Sequence, residues 1–433
     1  MTRFVSALLL AVLLAAPAAA QDPGAVIEND TGDTAWILAS SALVLMMTLP
    51  GLALFYGGLV RSKNFLSVAL QTGAIACVVS ILWIVTGFTL AFGDITNGWI
   101  GNGRAWMLID LTNVRLGTTI PESTFVLFQM TFAVITPALM VGAWVERARF
   151  SWVVVFCALW SVVVYAPVAH WVWGGGWLAS TFGTLDFAGG LVVHTTAGVS
   201  ALVVAILLGK RRGFPEKAIL PHAPGLTMIG AALLWVGWFG FNGGSALAAT
   251  DDASSAIINT HIAASAAALV WLLIERIGFG KTTLVGWATG AIAGLATITP
   301  AAAFVSPGAA ILFGALAAVV CYGAVLQIRK FGIDDSLDVF AVHGVGGILG
   351  TLLLGLFVSS ALGGTGYPEG MTPGSQLGAQ ALGVAVVALW SAVLTAVLAL
   401  GISIIAPIRV SKDEETEGLD ISSHGERSWQ LGD

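Results

Sequence analysis

Two histidines stand in stretches of chain with almost nothing else capable of acid–base chemistry. His194 follows Gly190-Leu191-Val192-Val193 and His343 follows Phe340-Ala341-Val342, and neither has a fixed charge within one helical turn. Two neutral imidazoles brought together can share one proton and offer a donor and an acceptor to a polar solute. The plainer alternative is two separate core histidines, each bonded to a backbone carbonyl. His170, His222, His261 and His424 fall at the ends of apolar runs or in the C-terminal tail, where a solvated role fits better.

An aspartate precedes each of the two histidines. Leu185-Asp186-Phe187 leads to His194, and Leu337-Asp338-Val339 leads to His343, at separations of eight and five residues. A carboxylate at a helix start can cap free N–H groups, a contribution of about 0.5–2 kcal/mol. Asp338, beside Asp334 and Asp335, reads as such a cap. Asp186 stands almost alone in an uncharged stretch, and either caps a helix or favours a cation, directly or by orienting a pore.

Aromatic spacing adds a third feature. Phe128 and Phe132 are four apart in one apolar run, and Phe241 and Ser245 are four apart in another. On helices running in opposite directions, Phe132 and Phe241 are the deeper members. A rim of Trp and Ser above deeper phenyl rings attracts a small cation through cation–π contacts and hydrogen bonds, then strips its water. Aromatic pairs at this spacing also occur as ordinary core. Cys77, Cys157 and Cys321 each sit alone, with no metal or redox spacing. No paired nucleophile and no H-E-x-x-H element occurs, so the chain reads as neither an enzyme nor a cofactor protein.

These residues need elements to hold them, and composition decides which kind. Of 433 residues, 57% are hydrophobic and 10% charged, against about 25% charged in an ordinary soluble domain. Ser151 to Thr184 contains no Asp, Glu, Lys or Arg, and about 20 apolar residues suffice to cross a bilayer. A soluble enzyme, a disordered chain and a disulfide scaffold are excluded. A net charge of −6 leaves no basic surface for nucleic acid.

The chain opens with Arg3, an apolar stretch and Ala18-Ala19-Ala20 before Gln21, the form of a signal peptide cleaved after residue 20, with an uncleaved signal anchor as the competing reading. Eleven further spans are predicted, near Trp36–Val60, Leu66–Phe92, Phe125–Val145, Trp152–His170, Gly190–Leu208, Leu226–Leu247, Ala256–Ile274, Thr283–Thr299, Gly308–Ile328, Val339–Val358 and Leu377–Pro407. With the mature N-terminus outside, fifteen of the 18 Lys and Arg residues fall inside; only Arg104 and Arg115 fall outside, and Arg3 leaves with the signal. That bias matches the positive-inside rule and puts the tail, residues 410–433, in the cytoplasm.

The repeated Asp-to-His passages open the fifth and tenth spans, so each half has five. Five is odd, so the halves run in opposite directions: an inverted repeat, with sites near the bilayer midplane. The fold expected is an all-α integral membrane protein of two five-helix halves plus one extra helix, with residues 21–409 as the membrane domain. Gly286, Gly290 and Gly294, at four-residue intervals, suit close helix packing.

Four segments carry a resemblance to a known family. Pro50-Gly51-Leu52-Ala53-Leu54-Phe55-Tyr56-Gly57-Gly58-Leu59, Asp186-Phe187-Ala188-Gly189-Gly190, Trp238-Phe239-Gly240-Phe241-Asn242-Gly243-Gly244-Ser245 and Asp338-Val339-Phe340-Ala341-Val342-His343-Gly344 resemble signature segments of the ammonium transporter (Amt/MEP/Rh) family. The tail segments Glu417-Gly418-Leu419-Asp420 and His424-Gly425-Glu426 do so as well.

The resemblance implies a homotrimer in a bacterial plasma membrane, each protomer surrounded by lipid and carrying its own pore for ammonium or methylammonium. It assigns Trp160, Ser245 and Phe128 to an outer recruitment site, with Asp186 supporting recruitment and deprotonation. Phe132 and Phe241 become a phenyl gate, and His194 and His343 the twin pore histidines. Trp160 with Ser245 favours the Amt branch. The tail resembles the segment where a cytoplasmic PII-family protein docks. An electroneutral Rh-like gas channel and an ammonium sensor signalling through its tail are the rival readings.

Overall fold

The computed structural model describes residues 29–216 and 219–429, so the expected signal peptide at residues 1–20 lies outside the described residues. Among the described residues, eleven helices are long and apolar enough to cross a membrane. The first half holds α1 (Thr31–Leu59), α2 (Ser62–Phe92), α3 (Glu122–Trp144), α4 (Phe150–Phe182) and α5 (Gly190–Leu208). The second holds α6 (Pro224–Gly244), α7 (Asp251–Phe279), α8 (Leu284–Ala301), α9 (Pro307–Lys330) and α10 (Phe340–Phe357), followed by α11 (Pro373–Ser403). All eleven predicted spans correspond to one of these.

A bilayer offers backbone groups no water, so each spanning segment must satisfy its own N–H and C=O groups, which a helix does. Hydroxyls inside the spans follow the same logic. Ser41, Thr72, Thr136 and Thr196 each donate to a carbonyl four residues earlier, so they cross hydrocarbon without an orphan donor. Helix starts are marked where the chain meets water. Thr372 and Ser375 form a reciprocal capping box at α11, with Pro373 in its first turn.

Small residues let helices cross closely, since apolar burial alone does not drive helices together in lipid. A Cβ on Gly290 would stand 2.6 Å from Trp271 Cβ, and one on Gly294 would stand 2.5 Å from the Ala263 carbonyl. The glycines of α8 therefore face α7. Another tight crossing joins α5 to α10, where a Cβ on Gly198 would fall 2.2 Å from Gly344 Cα.

α1 packs on α6 and α5 on α10, so equivalent members of the two halves meet across the centre. α11 closes over α5, α10 and α4. The connections after α1, α3, α5 and α9 converge at one end of the bundle, the basic end. There Glu146 accepts from Arg61 (2.8 Å) and faces Arg211 at 3.7 Å, and Arg211 pairs with Asp334 at 2.9 Å. Burial alone would raise the Glu146 carboxyl, but Arg61 and Arg211 outweigh it and hold it below the usual range. Asp334 behaves alike, with Arg211 overriding burial.

Two short tail helices, α12 (Lys412–Glu417) and α13 (Leu419–His424), fold back onto this end. Glu415 accepts from Arg409 at 2.8 Å and from the Arg212 amide. Asp420 accepts from the Ser67 amide at 2.8 Å, and Asn64 accepts from the Leu419 amide at 2.8 Å.

Candidate functional site

The site is built by two helices that begin inside the bundle from opposite ends. At the start of α5, the Asp186 carboxylate accepts four backbone N–H groups, from Gly189 (2.9 Å), Gly190 (2.7 Å), Leu191 (2.8 Å) and Val192 (3.1 Å). These are the donors a first helical turn leaves free. Gly189 completes the turn with φ +121°, where a Cβ would meet Val193 Cγ2 at 2.6 Å. Asp186 therefore acts as a cap that fixes the direction of α5. Both its oxygens are committed to the backbone, and it does not line the cavity described below.

The cap of α10 corrects the register expected for the repeat. Asp338 has φ +59° and its carboxylate pairs with Arg329 at 2.9 Å. Asp335 is the residue that accepts from the Phe340 amide, at 2.7 Å. Asp335 precedes His343 by eight residues, as Asp186 precedes His194. The two halves therefore match in spacing, and the five-residue separation was measured from the wrong aspartate. Burial first, then the neighbouring Asp338 charge, pushes the Asp335 carboxyl up to about 7.

Each histidine sits on a π-helical turn, Gly190–Thr195 for His194 and Phe340–Gly344 for His343. Such wider turns recur at functional positions because they re-aim one side chain out of the regular helical face. Here the rings meet: the two Nδ1 atoms are 3.3 Å apart, and the centroids 5.3 Å apart at 21°. The pairing alternative stands, and neither ring is bonded to a backbone carbonyl. Gly347, whose Cβ would lie 2.7 Å from His194 Cβ, leaves room for the approach.

The pair lines a small chamber of about 10 Å³, otherwise walled by apolar residues such as Leu52, Phe55, Ile135, Leu139, Trp238 and Phe241. That is the room one water-sized molecule occupies. Trp238 lies flat against His194, centroids 5.5 Å apart at 26°, and is fixed by donating to Thr299 at 2.9 Å. His194 Nε2 has no hydrogen-bond partner among the described residues.

Phe241 forms one wall of the chamber, and on its far side lies Phe132, with ring centroids 4.3 Å apart at 37°. Beyond Phe132 opens a vestibule of about 260 Å³ at the end opposite the basic one, lined by Phe92, Phe125, Gln129, Trp173, Ser245 and others. The tilted phenyl pair is the partition between the two spaces. Ser245 donates to the Phe241 carbonyl at 2.8 Å, which leaves its oxygen lone pairs free to accept.

Trp160 is not in this vestibule. Its indole is fully buried and donates to Ser200 and Thr395, each at 3.0 Å. It ties α4 to α5 and α11 as interhelical polar glue. The tryptophan that shares the vestibule with Ser245 is Trp173, further along α4: it lines the cavity, packs edge-on against Phe132 at 5.7 Å and donates to the Asp186 carbonyl at 2.8 Å. Sequence reasoning missed Trp173, although Gly174-Gly175-Gly176 after it marks the end of the apolar run. It missed Gln129 too, whose Oε1 is buried without a partner. Phe128 stands behind the vestibule wall, edge-on to Phe132 at 5.0 Å and against Gly244.

A vestibule, a phenyl partition and paired histidines on inverted half-helices invite comparison with known proteins. The model of the Ammonium Transporter Family matches residues 35–429. The chain belongs to the ammonium transporter family. Among its curated relatives in the family, a protein named "Ammonium transporter" in Aquifex aeolicus is 47% identical over 93% of this chain and 94% of its own. One of the same name in Bacillus subtilis is 45% identical over 92% and 98%. Among solved structures, a chain titled "Sensor Amt Protein" superposes with a TM-score of 0.85 at 31% identity, covering 91% of this chain and 98% of that one. Saccharomyces cerevisiae Mep2 gives 0.82 at 35%, covering 92% and 96%.

Proposed function

We propose that this chain is an ammonium transporter that binds NH4+ in the vestibule, where the ion gives its proton to water, and conducts NH3 past the histidine pair. The observation that supports this best is the sequence of spaces. A roomy vestibule with aromatic rings and a hydroxyl gives way, through one close, tilted phenyl pair, to an apolar chamber whose exposed polar groups are two imidazoles. The first space suits a cation and the second suits a small neutral base.

Charge cost orders the steps. A charge at mid-membrane costs roughly 2.5–3.5 kcal/mol on insertion scales, and more by other measures. Trp173, Phe125 and Phe132 offer π faces and Ser245 an acceptor, which replace part of the ion's hydration. Among the described residues, no carboxylate lines the chamber beyond Phe132 to balance a cation. Giving up the proton removes the penalty, and the imidazoles replace lost hydrogen bonds. Potassium, similar in size, has no proton to lose and is excluded.

In this reading the basic end faces the cytoplasm, following the positive-inside rule. Residues 1–20 are a cleaved signal, residues 21–409 the membrane domain and residues 410–433 a cytoplasmic tail. The protein works as a homotrimer in a bacterial plasma membrane. The tail docked on the basic end offers a PII-family protein its landing site. Uptake of labelled methylammonium into vesicles, with and without a membrane potential, tests the function: uptake is expected, and its absence in folded protein rejects it. Currents evoked by ammonium decide whether the proton crosses as well.

A second reading has one observation in its favour, the similarity to the chain titled "Sensor Amt Protein". In that reading the same vestibule binds ammonium and the docked tail reports it. Binding without uptake would select it.

A further inference from the structure

Two of the rings lining the vestibule already carry a cation. The Arg115 guanidinium lies 4.4 Å from the Phe125 ring centroid and 5.6 Å from that of Phe92, and both rings line the vestibule while Arg115 does not. Phe92 and Phe125 meet edge-on at 5.0 Å, so the guanidinium backs a joined aromatic wall.

Its position is fixed. The Arg115 amide donates to Ile120 O at 2.9 Å, and Arg115 O accepts from Thr118 at 3.0 Å, which closes a tight turn. The side chain donates to Glu122 Oε1 at 3.1 Å, and the two partners are only 22% and 18% exposed. No Asp, Glu, Lys or Arg lines the vestibule among the described residues. Of the two ion pairs in this loop, this one stands against the wall, since Arg104 with Asp94 is largely exposed; the other carboxylate behind the lining is Asp186, whose carbonyl accepts from Trp173.

We propose that Arg115 and Glu122 set how tightly the vestibule binds ammonium. The inference rests on the recruitment role given to the vestibule above. A cation resting on the back of an aromatic wall draws its π electrons and repels a second cation in front. Glu122 offsets part of that charge. Arg115 thus weakens the site and Glu122 strengthens it. Both are positioning residues that act through Phe125 and Phe92 without touching the passenger. Nothing in the four signature segments points to them.

The test is calorimetric binding of methylammonium to the full-length protein in detergent, with uptake into vesicles measured on the same variants. Arg115→Met is expected to lower Kd about three- to tenfold, the scale of one partly screened charge acting across a ring. Glu122→Gln is expected to raise Kd by a similar factor. Arg115→Lys, which keeps the charge, should stay within about twofold of the parent. KM should follow Kd while the maximal rate stays nearly constant. A purely structural loop contact predicts something else: lower melting temperature and maximal rate, with Kd unmoved or shifted the same way in both variants. Either result overturns the proposal. Parent protein that binds but does not transport rejects the transport reading alone. Parent protein that binds nothing rejects recruitment, and the tuning falls with it.

Discussion

The Nδ1 atoms of His194 and His343 face each other at 3.3 Å, so the two rings hold opposite tautomers. One Nδ1 must donate and the other accept, which puts the remaining proton on Nε2 of the second ring. The pair therefore presents one donor and one acceptor to the chamber. Replacing either histidine by Leu leaves the other Nδ1 without a partner, at a cost of about 1–3 kcal/mol. The expected result is folded protein, melting a few degrees lower, whose methylammonium uptake changes at least tenfold. Loss of folding with no separate transport defect would make them core residues.

Two tryptophans of α4 make opposite predictions. Trp173→Leu removes a vestibule wall; with cation–π contacts of about 0.5–2 kcal/mol, KM should rise roughly two- to thirtyfold. Trp160→Phe removes only the indole donor to Ser200 and Thr395, which still bond each other at 2.8 Å. It should lower stability by about 0.5–1.5 kcal/mol and leave KM unchanged. Concentration dependence of uptake together with thermal unfolding checks both.

That contrast also marks where sequence reading reached its limit. Span count, the gathering of basic residues at one end and the candidacy of the two histidines follow from composition and spacing, whereas the Phe132–Phe241 pair was implied by the family resemblance. Whether Trp160 or Trp173 reaches the cavity depends on where along α4 the vestibule opens, and an apolar run carries no such mark. The register of the repeat was obscured by three aspartates within five residues. Leu337-Asp338 copies Leu185-Asp186 in letters, whereas the left-handed backbone at Asp338 turns it toward Arg329 and leaves capping to Asp335. Counting eight residues back from each histidine would have found it. The capping role of Asp186 was open in the sequence because one carboxylate can serve a helix or a cation equally well.

The crossing of α5 and α10 has no spare room. Gly198→Ala would place a methyl carbon 2.2 Å from Gly344 Cα, so the backbones must part. Overpacking of this kind costs about 1–3 kcal/mol or more. It should also separate the histidine rings, so uptake falls further than stability alone explains. Thermal unfolding and uptake on one preparation separate the two effects.

The buried charges at the basic end give stability a signed pH dependence. Glu146 and Asp334 have carboxyls held below the usual range, mainly because their arginines overcome burial. Their contribution is present above the unfolded value of about 4 and is lost as pH falls through the folded values. Acid should therefore loosen this end first. Glu146→Ala leaves Arg211 buried without one of its partners and should cost about 3–5 kcal/mol at neutral pH.

Asp335 runs the other way. Its carboxyl is pushed up to about 7, above its unfolded value. Its contribution is full in acid and is lost as pH rises through about 7. Asp335→Asn keeps an oxygen for the Phe340 amide and has nothing to ionise. The variant should lose the decline that the parent shows between about pH 4 and 7, seen as a flatter melting profile there.

The claim that the passenger sheds its proton before reaching the histidines is tested most directly by ion competition in one vesicle preparation. Labelled methylammonium and a potassium tracer are offered together, with the interior held negative. The account predicts methylammonium accumulation and no potassium entry above empty vesicles. Entry of potassium at a comparable rate would show an intact cation crossing the phenyl pair and would contradict it.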